Sequence, residues 1–195
     1  MEVAGKVALI TGGSSGVGLA LATLLVARGT RVVLVARSAD ALESAVTVLG
    51  AGRASAIVVD VADRAALVEL PQRVFSEHGR LDILVNNAGV NHRGALMQRT
   101  TDEISQILDV NLLAPILLTQ AALPFLAPGS AVLNVASLAG KIPVPHEACY
   151  SASKAGLRAF SRALEVELSA LGIRVTTVCP GPRRPLLSRV TGSLD

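Results

Sequence analysis

The stretch 6-KVALITGGSSGVG-18 decides how the chain is read. An aliphatic run of strand length, 6-KVALI-10, stops at a glycine-rich loop, and helical spacing follows over roughly 16–28. In such a loop Gly12, Gly16 and Gly18 permit a tight turn, a close backbone approach to a pyrophosphate, and close packing of the next helix on the sheet. Amides at the start of that helix face a phosphate with a favourable dipole. Ser14 and Ser15 add hydroxyl donors. Spaced glycines alone are weak evidence, but here the strand precedes them and the helix follows, as phosphate binding requires. The expected contacts run from Gly12 through Ser14, Ser15, Gly16 and Val17 to Gly18.

The same punctuation repeats outward from this point. Apolar runs stand at 31-RVVLV-35, 55-SAIVV-59, 82-DILVN-86, 131-AVLNV-135 and 173-IRVTTV-178. Their nearly continuous apolar character suits strands buried on both faces of a parallel sheet. Helical spacing fills roughly 39–49, 63–78, 101–123 and 151–171, with Ser38 and Thr101 as candidate caps. Strand and helix in strict alternation predict an α/β protein with a three-layer, doubly wound Rossmann fold. The expected sheet is mostly parallel, with about six strands in the order 3-2-1-4-5-6, within one nucleotide-binding domain over 1–195.

Composition narrows the class. A chain of 195 residues is long enough for a full hydrophobic core, and about half of it is apolar. The net charge is only +3 and the arginines are scattered, which gives no nucleic-acid footprint. Cys149 and Cys179 form no disulfide framework, as in a reducing compartment, and His78, His92 and His146 form no metal set. The start, MEVAGKVALITGG, does not read as a signal peptide. The apolar stretch 110-VNLLAPILLTQAALPFLA-127 carries Asn, Gln and two prolines, so it is expected to be a buried helix rather than a membrane span. A cytoplasmic protein with no nucleic-acid or membrane partner is the expectation.

Ligands of an open parallel sheet bind beyond the carboxyl ends of the strands, so the residues after each strand carry the functional reading. The second strand ends in 35-VARS-38. An acidic residue there would accept from the ribose 2′-hydroxyl of NAD; this chain has Ala36 and Arg37 instead. A guanidinium pairs with a 2′-phosphate through two hydrogen bonds, and Ser38 can add a third, so NADP(H) is favoured over NAD(H). The alternative for Arg37 is an ordinary exposed arginine at a strand end. In 59-VDVAD-63, Asp60 is placed to accept from an adenine amino group with Val61 against the ring, while Asp63 is free to cap the next helix. In 86-NNAGV-90, Asn87, Ala88 and Gly89 let the backbone pass close to a cofactor while the amides tie neighbouring loops.

The fifth strand leads to Ser137, and thirteen residues later stands Tyr150, the only tyrosine in the chain, with Lys154 four residues on. That spacing places phenol and ammonium on one helix face. A nearby positive charge favours the phenolate and fits the hydroxyl for acid–base work. Ser137 is suited to hold a substrate oxygen beside it. In 109-DVNLLAPI-116, Pro115 has no N–H for the carbonyl of Asn111. That carbonyl is either freed for a water, which near Lys154 would complete a proton path, or is part of a simple kink.

These motifs together resemble the short-chain dehydrogenases/reductases. TGGSSGVG, NNAG, an Asn in the following helix, Ser137, then Tyr-Ser-Ala-Ser-Lys and finally Pro180-Gly181 occur in that family's order over residues 6–181. The resemblance implies that Asn111, Ser137, Tyr150 and Lys154 are the catalytic group. Tyr150 would be the proton donor, Ser137 would polarise the carbonyl, Lys154 would hold the nicotinamide ribose, and Asn111 would anchor a relay water. It also implies cofactor contacts at Pro180 and Gly181. The reaction implied is the NADP(H)-dependent interconversion of a ketone or aldehyde and an alcohol.

The tail departs from the family's pattern. After Pro180-Gly181 relatives continue to a Thr near the cofactor amide, a substrate-covering segment, a helix and a last strand. Here 182-PRRPLLSRVTGSLD-195 follows, with Arg184 and Pro185 at that offset. This is read as a shortened tail with the final strand missing, leaving the sixth strand as an edge for another chain to cover. A nucleotide-binding module with little or no catalysis is therefore the alternative. Loop 138-LAGKIPVPHEAC-149 is expected to border the pocket, with Ile142, Val144 and His146 as candidate contacts for a mainly hydrophobic substrate. A homo-oligomer, a dimer or tetramer through the helices at 101–123 and 151–171, is also expected.

Overall fold

The computed structural model describes residues 2–50 and 52–181. Six strands form one parallel sheet in the order β3-β2-β1-β4-β5-β6, the order expected from the sequence. They are β1 (Val7–Thr11), β2 (Arg31–Ala36), β3 (Ala54–Val58), β4 (Leu81–Asn86), β5 (Leu126–Val135) and β6 (Arg174–Val178). Six helices connect them: α1 (Gly16–Ala27), α2 (Ala39–Leu49), α3 (Arg64–His78), α4 (Thr101–Leu108), α5 (Ala114–Ala122) and α6 (Ala148–Ser169).

Alternation along each strand divides the core into two layers. Val7, Leu9, Val33 and Leu84 point to one face, where Leu67 and Leu70 of α3, Leu118 of α5 and Leu164 of α6 cover them. Ala8, Ile10, Val32 and Leu34 point to the other, beneath Ala22 and Leu25 of α1 and Leu42 and Ala45 of α2. Both faces of every central strand are thus buried, which is why those strands read as unbroken apolar runs.

Local signals set the helix starts. Ser38 caps α2 by accepting from the Ala41 N–H at 3.3 Å, and Asp63 caps α3 by accepting from Ala65 and Ala66. At α4 the cap is Thr100 and not the expected Thr101. Thr100 Oγ1 accepts from Glu103 N while the Glu103 carboxylate accepts from Thr100 N, a reciprocal box that only Thr100 can close with a Glu three residues on.

The segment read as one helix over 101–123 is interrupted. Asp109–Leu113 forms a π turn between α4 and α5, in which the Ala114 N–H reaches the Asp109 carbonyl. Pro115 explains the break, because it supplies no N–H to the preceding turn. By length and composition Thr101–Phe125 passes for a membrane span. In this fold its Ile107, Val110, Ala114, Leu118 and Ala122 face the protein interior.

Candidate active site

Three loops meet at the carboxyl edge of β1, β4 and β5. The first is the glycine loop. Asn87 ties it to the loop after β4: its Nδ2 donates to the carbonyls of Thr11 at 2.9 Å and Gly12 at 3.0 Å. In return Thr11 Oγ1 accepts from Asn87 N at 3.0 Å and Ala88 N at 3.1 Å. The glycines are required by closeness. A Cβ on Gly12 would stand 2.9 Å from Asn87 Nδ2, and one on Gly18 would stand 2.5 Å from the same atom and overlap the Gly12 carbonyl.

Asn111 is fully buried in the π turn. Its Oδ1 accepts from Val90 N and its Nδ2 donates to Val90 O, both at 2.8 Å, and Nδ2 also reaches Ser153 Oγ at 3.1 Å. Ser153 Oγ in turn donates to the Tyr150 carbonyl at 2.7 Å. A Cβ on Gly89 would lie 3.2 Å from Asn111 Oδ1 and 3.3 Å from Lys154 Nζ, so the loop, the π turn and α6 converge on one point.

Tyr150 sits in the first turn of α6, two residues after its start. Lys154 follows one turn later, with Nζ 5.9 Å from the phenol ring centroid. The amine is only 3% exposed and donates to the Val135 carbonyl at 3.0 Å. Burial pushes its pKa down to about 8. Close helix packing fixes this geometry, since a Cβ on Gly140 would stand 2.7 Å from the Lys154 carbonyl carbon. Ser137 lies two residues beyond β5, and its Oγ accepts from Ala139 N at 3.2 Å.

A cavity of about 810 Å³ spans the glycine loop, Gly89, Ser137, Tyr150, Lys154 and Pro180-Gly181. A second, of about 440 Å³, shares Gly12, Ser15, Ala88 and Gly89 with it and runs past Arg37, Ser38, Asp60 and Val61. Every expected cofactor contact lines one or the other except Gly18, which is packed behind the loop, and Asn111 stands behind Gly89. Of the loop residues expected to contact substrate, Ile142 and Val144 line the larger cavity; His146 does not. Arg184 and Pro185 lie outside the described residues.

Some participants were not singled out in the sequence. Thr11, Ser153 and a buried ladder escaped it: Asn86 Nδ2 donates to Asn134 Oδ1 at 2.7 Å and to Thr119 Oγ1 at 3.0 Å, and Asn134 Nδ2 donates to Ser161 Oγ at 2.8 Å. Asn residues at the ends of apolar strands were the available signal. Arg37 also has a partner, the Asp60 carboxylate, at 3.9 Å.

The lining suits an extended dinucleotide. Glycines keep a cradle that side chains would fill, and Lys154 has N–H donors beyond the one given to Val135. In comparisons with known proteins, the family model described as short chain dehydrogenase matches residues 6–189. An oxidoreductase of Methylorubrum extorquens is 39% identical over 184 residues, covering 92% of this chain and 74% of the relative. The 3-oxoacyl-[acyl-carrier-protein] reductase FabG of Salmonella typhimurium is 35% identical over 183 residues, covering 93% of this chain and 75% of FabG. Among solved structures, a short chain dehydrogenase from Burkholderia cenocepacia in complex with NADP has a TM-score of 0.88 at 39% identity, covering 93% of this chain and 76% of that one.

Proposed function

Because the chain belongs to the short-chain dehydrogenase family, and is therefore an oxidoreductase acting on CH–OH groups with a nicotinamide cofactor, we propose that it reduces ketones or aldehydes with NADPH, and oxidises the corresponding alcohols, with Tyr150 as proton donor and acceptor. The observation that carries this reading is one continuous cleft in which Ser137, Tyr150 and Lys154 share a wall with the glycine loop.

A bound nicotinamide cofactor supplies the hydride. The protein handles the proton and the charge. Tyr150 gives its hydroxyl proton to the carbonyl oxygen as that oxygen gains negative charge. Ser137 donates a hydrogen bond to the same oxygen and holds it within reach. Lys154 offers its remaining N–H groups to the ribose hydroxyls and keeps a cation beside the phenol. The Asn111 carbonyl, which Pro115 cannot satisfy, is offered to a relay water.

The preference for NADP(H) rests on Ala36 and Arg37 at the end of β2. Arg37 is 63% exposed and its pairing with Asp60 is weak, so a 2′-phosphate can recruit the guanidinium at little cost. The lining supplied by Leu138, Ile142 and Val144 supports a largely apolar substrate body. Ketoacyl reductases among the relatives agree with a carbonyl substrate, whereas binding without catalysis gains no support from them. Exposed Leu108 on α4 and Val166 on α6 support assembly of like chains through these helices. The test is NADPH oxidation with a panel of ketones and aldehydes, comparing the unaltered protein with Tyr150→Phe.

A further inference from the structure

Glu147 immediately precedes α6, three residues before Tyr150, and lines the same cavity as Tyr150 and Ser137. Its side chain is 16% exposed. It stands at the helix start, yet it caps no helix amide. The backbone fixes its place instead: Glu147 N donates to the Val144 carbonyl at 3.1 Å, and its carbonyl accepts from Ser151 N at 2.7 Å.

Among the described residues the only ion-pair partner of this carboxylate is Arg93, whose Nε lies 3.7 Å away. That separation is too long for a good hydrogen bond, and Arg93 is 72% exposed, so its charge is largely spent on water. The cavity it lines also carries Val90, Leu138, Ile142 and Val144, while on its other side Glu147 borders a small pocket with His92, Arg99 and His146. A partly buried carboxylate whose one ion pair is long accepts a donor that is brought to it. It disfavours a second negative charge for the same reason.

We infer that Glu147 is a specificity-determining residue, accepting a hydrogen bond from a hydroxyl or ammonium group that the substrate carries beyond its carbonyl and turning anionic substrates away. The inference rests on the carbonyl-reductase reading above. It makes the substrate two-ended: a carbonyl at Tyr150, an apolar body, and a donor at Glu147.

The test uses four ketones built on one ring: 4-isopropylcyclohexanone, 4-hydroxycyclohexanone, 4-(dimethylamino)cyclohexanone and 4-oxocyclohexanecarboxylate. Their dissociation constants are measured calorimetrically on the protein saturated with NADP+. The dimethylamino compound is expected to bind about tenfold tighter than the isosteric isopropyl compound, a charge-assisted hydrogen bond's worth, with the carboxylate weakest. Glu147→Gln should erase most of the cation's advantage, and Arg93→Ala should widen the gap between cation and anion. Equal affinities, tightest binding of the carboxylate, or no binding of any member overturns the inference. Turnover of the same ketones with NADPH reads the reductase proposal separately. A preserved affinity order without turnover defeats that proposal alone, and turnover without the order defeats only the role of Glu147.

Discussion

Asn111 holds Val90 by both of its main-chain groups, donating to the carbonyl and accepting from the N–H at 2.8 Å each. The side chain is thereby committed to structure, joining the loop after β4 to the π turn and, through Ser153, to α6. Replacing it by leucine would leave those buried partners unsatisfied. Asn111→Leu is expected to cost about 2–4 kcal/mol in urea unfolding, as two or more buried polar groups lose their bonds. A loss under about 0.5 kcal/mol, the range of ordinary surface changes, would show that the clamp is not needed.

Lys154 makes stability depend on pH in a defined direction. Its folded pKa, about 8, lies below the ordinary lysine value of about 10.4. Between those values the unfolded chain holds a proton that the folded chain releases, so this residue's contribution to stability rises with pH across that window. Below it the folded state carries the full penalty of a buried ammonium. Lys154→Met should therefore be more stable than the unaltered protein at pH 7, by up to about 3 kcal/mol, with the gap closing as pH approaches 10. A gap that does not change with pH would contradict the assignment.

Gly18 cannot become alanine without strain: its Cβ would overlap the Gly12 carbonyl and stand 2.5 Å from Asn87 Nδ2. Backbone cannot yield as a flexible side chain does. Gly18→Ala is expected to destabilise the fold by about 1–3 kcal/mol, the usual range for overpacking, and to weaken NADPH binding by displacing the loop. Fluorescence titration with NADPH, alongside a thermal melt, checks both. Unchanged affinity would remove the loop from the cofactor's site.

Much of this is legible in the sequence. The strands announced themselves because both faces of the sheet are covered, and the glycine loop because each glycine answers a separate steric demand. Ser137, Tyr150 and Lys154 line one cavity, and of these only the one-turn relation of Tyr150 to Lys154 is readable from spacing. The ladder of Asn86, Asn134, Thr119 and Ser161 was not legible, since pairing across two strands and two helices depends on register that no local pattern encodes. The π turn was visible only as a misplaced proline. Thr101 is the cap expected from the sequence, but Glu103 stands three residues after Thr100 and closes the box there. Arg37 was readable as a cation at a strand end, but its pairing with Asp60 belongs to the meeting of two loops.

The proposed preference for NADP(H) rests on Arg37. With no acid at the end of β2, NADPH should bind more tightly than NADH. Arg37→Asp should reverse the order, shifting the ratio of affinities by about 10- to 100-fold through loss of a charge-assisted pair and gain of repulsion. Added salt should weaken NADPH binding more than NADH binding, because the pair is exposed. Tighter binding of NADH by the unaltered protein would reverse the assignment.

The central claim is that the Tyr150 hydroxyl transfers the proton. It is tested most directly by the rate of ketone reduction by Tyr150→Phe at saturating NADPH, with NADPH affinity measured on the same sample. The account predicts that the rate falls about 10²- to 10⁴-fold while the cofactor still binds. A phenylalanine variant that reduces ketones as fast as the unaltered protein would contradict it.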